Sequence, residues 1–139
     1  MNRDVLVSVS GIQLSIDGET PVEIISKGKF HRRDDRTYIK YQEIDEEDNV
    51  TDCLIKVGAD CVEITKKGAM TSCMVFEKDK NCMTTYETPF GKLMIGITTS
   101  ELIVLEDEDA MAIKIMYNLD INYSFVSECC VDIKVISQC

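Results

Sequence analysis

MAIKIMYNLDINY, residues 111–123, places Met111, Ile113, Ile115, Tyr117, Leu119, Ile121 and Tyr123 at every second position, with Lys114, Asn118, Asp120 and Asn122 between them. Successive side chains of a β-strand point to opposite faces, so this alternation predicts one long strand, apolar on one side and wet on the other. Val131, Ile133 and Val135 alternate with Asp132 and Lys134 in the same way, and the two segments should pair as a hairpin. Working towards the N-terminus, the same period recurs almost everywhere. Val5, Val7 and Val9 are followed by Ile12, Leu14 and Ile16 in the opposite phase, which predicts a bulge at Gly11. Turns are expected at Asp17-Gly18 with Pro21, at Asp34-Asp35, at Gly58-Ala59-Asp60, near Gly68, at Lys78–Asn81, at Pro89-Phe90-Gly91 and at Glu106–Asp109. They bound strands over Val22–Arg32, Arg36–Ile44, Val50–Val57, Cys61–Lys67, Met70–Phe76 and Met83–Thr88, with a further strand from Leu93 towards Leu105.

About ten strands, short connections and no crossover helix argue for antiparallel pairing of sequence neighbours. Each strand has one apolar face that must be covered, so the meander should close into a barrel rather than lie open. The expected fold class is all-β, a single antiparallel meander β-barrel of about 8–10 strands. No linker, repeat or low-complexity segment interrupts residues 1–139, so one domain is expected over the chain. With 45% apolar and 29% charged residues, a domain of this length can bury enough surface to fold without a disulfide or metal.

Fifteen basic residues against twenty-five acidic ones give a formal charge of -10, which repels phosphate backbones and argues against nucleic acid. The longest apolar runs are too short to span a bilayer and Met1 is followed by polar residues, so no membrane association and a cytoplasmic location are expected. Cys53, Cys61, Cys73, Cys82, Cys129, Cys130 and Cys139 are odd in number, contain no C-x-x-C pair and read as reduced thiols packed as small hydrophobes. With only His31 to help them they do not make a zinc set, and no other cofactor is implied. The acidic cluster from Glu43 to Asp52 lacks the spacing of a calcium loop and reads as solvated.

RTYIKYQE (residues 36–43), KKGAM (66–70), TTYETPFGKLMI (84–95) and IKIMYNLDIN (113–122), in that order and spacing, resemble the YwiB-like family of bacterial proteins, a domain of unknown function. The likeness covers nearly the full length. It implies a small β-barrel of calycin or lipocalin-like architecture, in agreement with the strand count. It brings no catalytic residues, because the family has no established activity, and the cysteines are not part of its pattern.

Two functional readings compete. In the first, the barrel is non-enzymatic and an interior or mouth-of-barrel pocket takes a small apolar or amphipathic molecule. Tyr41, Tyr86, Tyr117 and Lys67 are its candidate ligand residues, a phenol being suited to orient an acidic head group. Tyr123 and the methionines Met70, Met74, Met83 and Met116 are further candidates for the lining, and ordinary core is the competing explanation for all of them. In the second, the interior is filled and the basic segment Lys27, Lys29, His31, Arg32 and Arg33 meets an acidic partner. Lys27, Lys29, His31 and Arg33 share one strand face, which can also be read as plain solvated surface. A hydrolase would need a cleft with an activated acid or thiol that these residues do not assemble. The oligomeric state is open, and a homodimer is compatible with the sequence.

Overall fold

A computed structural model describes residues 2–11, 23–44, 47–68, 71–88 and 91–138. Ten strands run β1 (Asn2–Ser10), β2 (Glu23–Arg33), β3 (Arg36–Ile44), β4 (Val50–Val57), β5 (Cys61–Lys67), β6 (Thr71–Glu77), β7 (Asn81–Thr88), β8 (Gly91–Glu106), β9 (Ala110–Ile121) and β10 (Ser124–Ser137). Every ladder is antiparallel, and the strand order is β6-β5-β4-β3-β2-β1-β10-β9-β8-β7. This is a meander whose first and last strands pair, so the sheet curls into a nearly closed barrel. There is no helix among the described residues.

The inward faces follow the predicted alternation. Val5, Val7 and Val9, then Ile39, Ile55, Ile64, Ile113, Ile115, Val131 and Ile133 are all buried and form one core. Phe76 is fully buried on β6 and meets Tyr117 of β9 edge to face, with ring centroids 5.0 Å apart. That contact spans the barrel close to where its wall is weakest. Among the described residues no ladder joins β6 to β7, although they are sequence neighbours. Instead, the turn between them is laced to β8: Asp79 N–H donates to Thr99 O at 2.8 Å and Thr99 N–H donates to Lys80 O at 3.3 Å. These two bonds continue the β7–β8 ladder one pair beyond Asn81 and Thr98, while on its other edge β8 shifts register against β9 between Thr99 and Glu101.

Two local differences from the sequence reading appear, and a third expectation falls largely outside the described residues. The strand expected to reach Tyr123 ends at Ile121, because Asn122 and Tyr123 take φ of 50° and 68° and form the two-residue hairpin turn that the strand twist favours. Glu43, grouped above with the solvated acidic loop, belongs to β3 and points inward. The bulge at Gly11 and its continuation through Ile16 lie mostly outside the described residues; Gly11 itself has φ of 89°.

Gly28 sits in the middle of β2 facing inward. A Cβ there would meet Lys40 O of β3 at 2.6 Å and Val7 Cγ2 of β1 at 3.0 Å. The absent side chain is what lets β2 close so tightly on both neighbours, and this packing fixes the outer faces of β1, β2 and β3 relative to each other.

Candidate functional site

Among the described residues a broad hollow lies on the outside of the barrel. A groove of about 960 Å³ runs over the outer faces of β1 to β5. Its walls carry Lys27 and Lys29 from β2, Lys40 from β3, Lys56 from β4 and Lys67 from β5, against Asp4 and Asp52. Leu54, Thr65, Gln42 and Gln138 supply an apolar spot and uncharged hydrogen-bonding groups. Period two explains the cluster, since each lysine alternates with a core residue, as Lys40 does between Ile39 and Tyr41.

The register makes Lys40 the hub. It lies directly opposite Lys29 across the β2–β3 ladder and opposite Leu54 across the β3–β4 ladder. Facing residues have Cβ atoms about 5 Å apart and diagonal neighbours about 7–8 Å apart, which brings Lys27 and Lys56 into the same cluster. Two like charges directly opposite each other destabilise a sheet. Only part of this charge is balanced. Lys29 pairs with Asp4, and Asp52 accepts from Gln42 Nε2 at 2.8 Å. Lys27, Lys40, Lys56 and Lys67 form no ion pair among the described residues. Across the β4–β5 ladder Lys56 faces Glu63 and Lys67 faces Asp52, so in a chain with a formal charge of -10 the positive charge of the groove is least balanced around Lys27 and Lys40.

The predicted site residues are redistributed. Lys27, Lys29, His31 and Arg33 do share the outer face of β2, and Lys27 and Lys29 line the groove. Arg32 does not belong with them. It faces the other way, donates to Thr37 Oγ1 at 3.2 Å, pairs with Glu106, and sits 5.8 Å from the Phe30 ring centroid, which Arg3 also covers at 4.9 Å. These two arginines cap one end of the barrel. Lys67, grouped with the interior tyrosines from sequence, is exposed and belongs to the outer groove. The side chain of Tyr86 lies outside the described residues. Met74 is buried, whereas Met83, Met116 and Tyr123 are exposed and line no interior. Met70 lies outside the described residues. Lys40 and Lys56 were missed, although the polar phase of β3 and β4 carries both.

Tyr41 and Tyr117 are in the core, and neither hydroxyl has a hydrogen-bond partner. Burial pushes both phenols well above the ordinary tyrosine range, and for Tyr41 the nearby Cys53 and Glu43 push in the same direction. Beside Tyr41, Lys66 Nζ meets Glu43 Oε1 at 2.9 Å, with each side chain 19% exposed. This pair is turned into the barrel from β5 and β3, on the face opposite the groove.

Cys53, Cys61, Cys73, Cys82, Cys129 and Cys130 are free thiols. Cys129 and Cys130 point to opposite faces of β10, as alternation requires. Burial, followed by the Glu43 carboxylate, raises the Cys53 thiol from 9.0 to about 11. Its native proton is therefore held more tightly than in the unfolded chain. The resulting stabilisation is full below about pH 9 and is lost as pH rises towards 11. Alkylation under native conditions at pH 8 should modify exposed Cys130 first and Cys53 only on unfolding, as followed by peptide mass spectrometry. Native labelling of Cys53 as fast as Cys130 would contradict this placement.

Residues 7–133 match the family model of a domain of unknown function, DUF1934. The chain belongs to the DUF1934 family. The crystal structure of the YwiB protein from Bacillus subtilis superposes on it with a TM-score of 0.81 at 18% sequence identity, covering 99% of this chain and 94% of that one. At that identity the likeness establishes the shared barrel alone. No curated protein matches the sequence. The DUF1934 assignment agrees with the resemblance carried by the four sequence stretches and leaves the role of the groove to be argued from its chemistry.

Proposed function

We propose that this DUF1934 domain is a binding module that takes an anionic ligand in the outer groove of β1 to β5. The observation that carries this reading is the facing pair Lys29 and Lys40 at the centre of a lysine-lined hollow. Like charges opposite each other cost stability; Asp4 offsets Lys29, so an anion would be held chiefly by Lys40 and its diagonal neighbour Lys27. The groove is also of the size that small-molecule sites occupy, about 300–1,000 Å³.

Isothermal titration at low ionic strength with tripolyphosphate and with an oligoglutamate peptide tests the reading. At least one of these anions should bind the native chain. The triple variant Lys27→Gln, Lys40→Gln and Lys67→Gln should bind about tenfold more weakly or worse, equivalent to about 1.4 kcal/mol or more. Equal binding by both chains, or none by either, would overturn the proposal.

The interior reading is supported by a separate observation, the two buried tyrosine hydroxyls without partners. Buried polar groups are normally satisfied, so an orphaned one invites a water or a ligand atom. The competing observation is that Ile39, Ile55, Phe76 and Ile115 fill the same interior. The outer groove is therefore the favoured site.

A further inference from the structure

We infer that the ligand of the groove is a compact polyphosphate group, recognised through its phosphate chain rather than through anything attached to it. This inference rests on the anion-binding reading above and goes beyond it by naming the ligand chemistry.

The charge is clustered rather than strung out. Lys29 faces Lys40 directly, and Lys27 and Lys56 lie on the diagonals of Lys40, so these four lysines occupy a compact patch across three strands instead of a single row, with Lys29 paired to Asp4 and Lys56 facing Glu63. An extended acidic peptide spaces its same-side carboxylates by about 7 Å along a line. A phosphate chain carries several charges on a much shorter body, which suits a compact patch.

The groove is lined by lysines and by no arginine. Arginine forks match carboxylate and phosphate alike, whereas lysine binds phosphate as a point charge with rotatable donors. Several such donors can share the many acceptor oxygens of linked phosphoryl groups. Gln42, Gln138 and Thr65 add neutral hydrogen-bonding groups beside them.

Salt screens charges beyond about 8 Å at physiological ionic strength, so a small anion in the groove responds mainly to the lysines around it. A large polyanion also has to lie against the rest of a chain whose formal charge is -10. The aromatic residue that lines the groove, Tyr41, is buried, and the half-buried Tyr38 on the same outer face sits 6.2 Å from the His31 ring rather than lining the groove.

Titration calorimetry at low ionic strength with tripolyphosphate, adenosine triphosphate and the oligoglutamate peptide separates the outcomes. Tripolyphosphate should bind more tightly than oligoglutamate, and adenosine triphosphate no more tightly than tripolyphosphate. Lys40→Gln should weaken tripolyphosphate binding about tenfold, whereas Lys134→Gln, on exposed β10, should leave it unchanged. Thermal melting of both variants verifies that they fold. Tighter binding of oligoglutamate, with loss in Lys40→Gln, overturns the polyphosphate assignment while the anion-binding groove survives. A large gain from the adenosine overturns recognition through the phosphate chain alone. Equal weakening by Lys40→Gln and Lys134→Gln overturns the site, and no binding of any of the three overturns both readings.

Discussion

Phe76→Ala should destabilise the native chain by about 3–5 kcal/mol, the cost of truncating a fully buried aromatic residue. Phe76 has no solvent exposure and packs against Tyr117 at 5.0 Å. It also belongs to β6, which pairs with β5 on one side and has no ladder with β7 on the other. A strand held on one edge depends more on its inward side chains than one held on both. The cavity therefore loosens the weakest part of the wall as well as the core. Urea denaturation followed by circular dichroism measures the loss. A change below about 1 kcal/mol would mean that Phe76 contributes only what an ordinary point substitution does, and that β6 is held in place by other means.

The second large effect concerns Lys66 and Glu43. Lys66→Met leaves the Glu43 carboxylate turned into the barrel beside the Cys53 thiol and the Tyr41 phenol, without its cation. Breaking a fully buried pair from one side costs about 3–5 kcal/mol. Both partners keep 19% of their exposure, so water relieves part of this and about 2–3 kcal/mol is expected. Removing the second charge should recover much of the loss, because apolar replacements of a buried pair are often neutral or better. A double-mutant cycle with Lys66→Met and Glu43→Leu therefore predicts a double variant more stable than Lys66→Met alone. Additive losses would show that the two residues act independently.

Much of this architecture could be read before the structure was known. The two-residue turn at Asp34-Asp35 fixes the β2–β3 register by itself, and with it the facing pairs Lys29–Lys40 and Arg33–Arg36. Alternation in β9 and β10 located most of the core on that side. The groove was legible only in part, because it joins outer faces from Asp4 to Lys67 and ends on Gln138. That juxtaposition depends on β1 pairing with both β2 and β10. Lys67 was grouped with the interior tyrosines, although the phase set by Val62 and Ile64 turns Lys66 inward and leaves Lys67 on the outer face. Arg32 was misread differently. The alternation of β2 sets Arg32 on the face opposite Lys29, His31 and Arg33; what the sequence does not display is its place over Phe30 and its pairing with Glu106 at the end of the barrel. Glu43 shows the same weakness, being charged, adjacent to an acidic loop and yet neutralised within the barrel by a lysine from another hairpin.

Function on the outer face and packing on the inner face are physically separable in a barrel, because side chains of opposite phase point away from each other. The groove lysines can therefore change without disturbing the core, and the Tyr41, Cys53, Glu43 and Lys66 cluster can change without altering the groove charge. Amide chemical-shift mapping of the full chain during titration with tripolyphosphate tests this division directly. The account predicts shifts concentrated at Lys27–Lys29, Lys40–Gln42, Leu54 and Lys67, with Tyr117 and its β9 neighbours unmoved. Shifts centred on Tyr117 and the β9 interior, with the β2–β3 lysines silent, would contradict it.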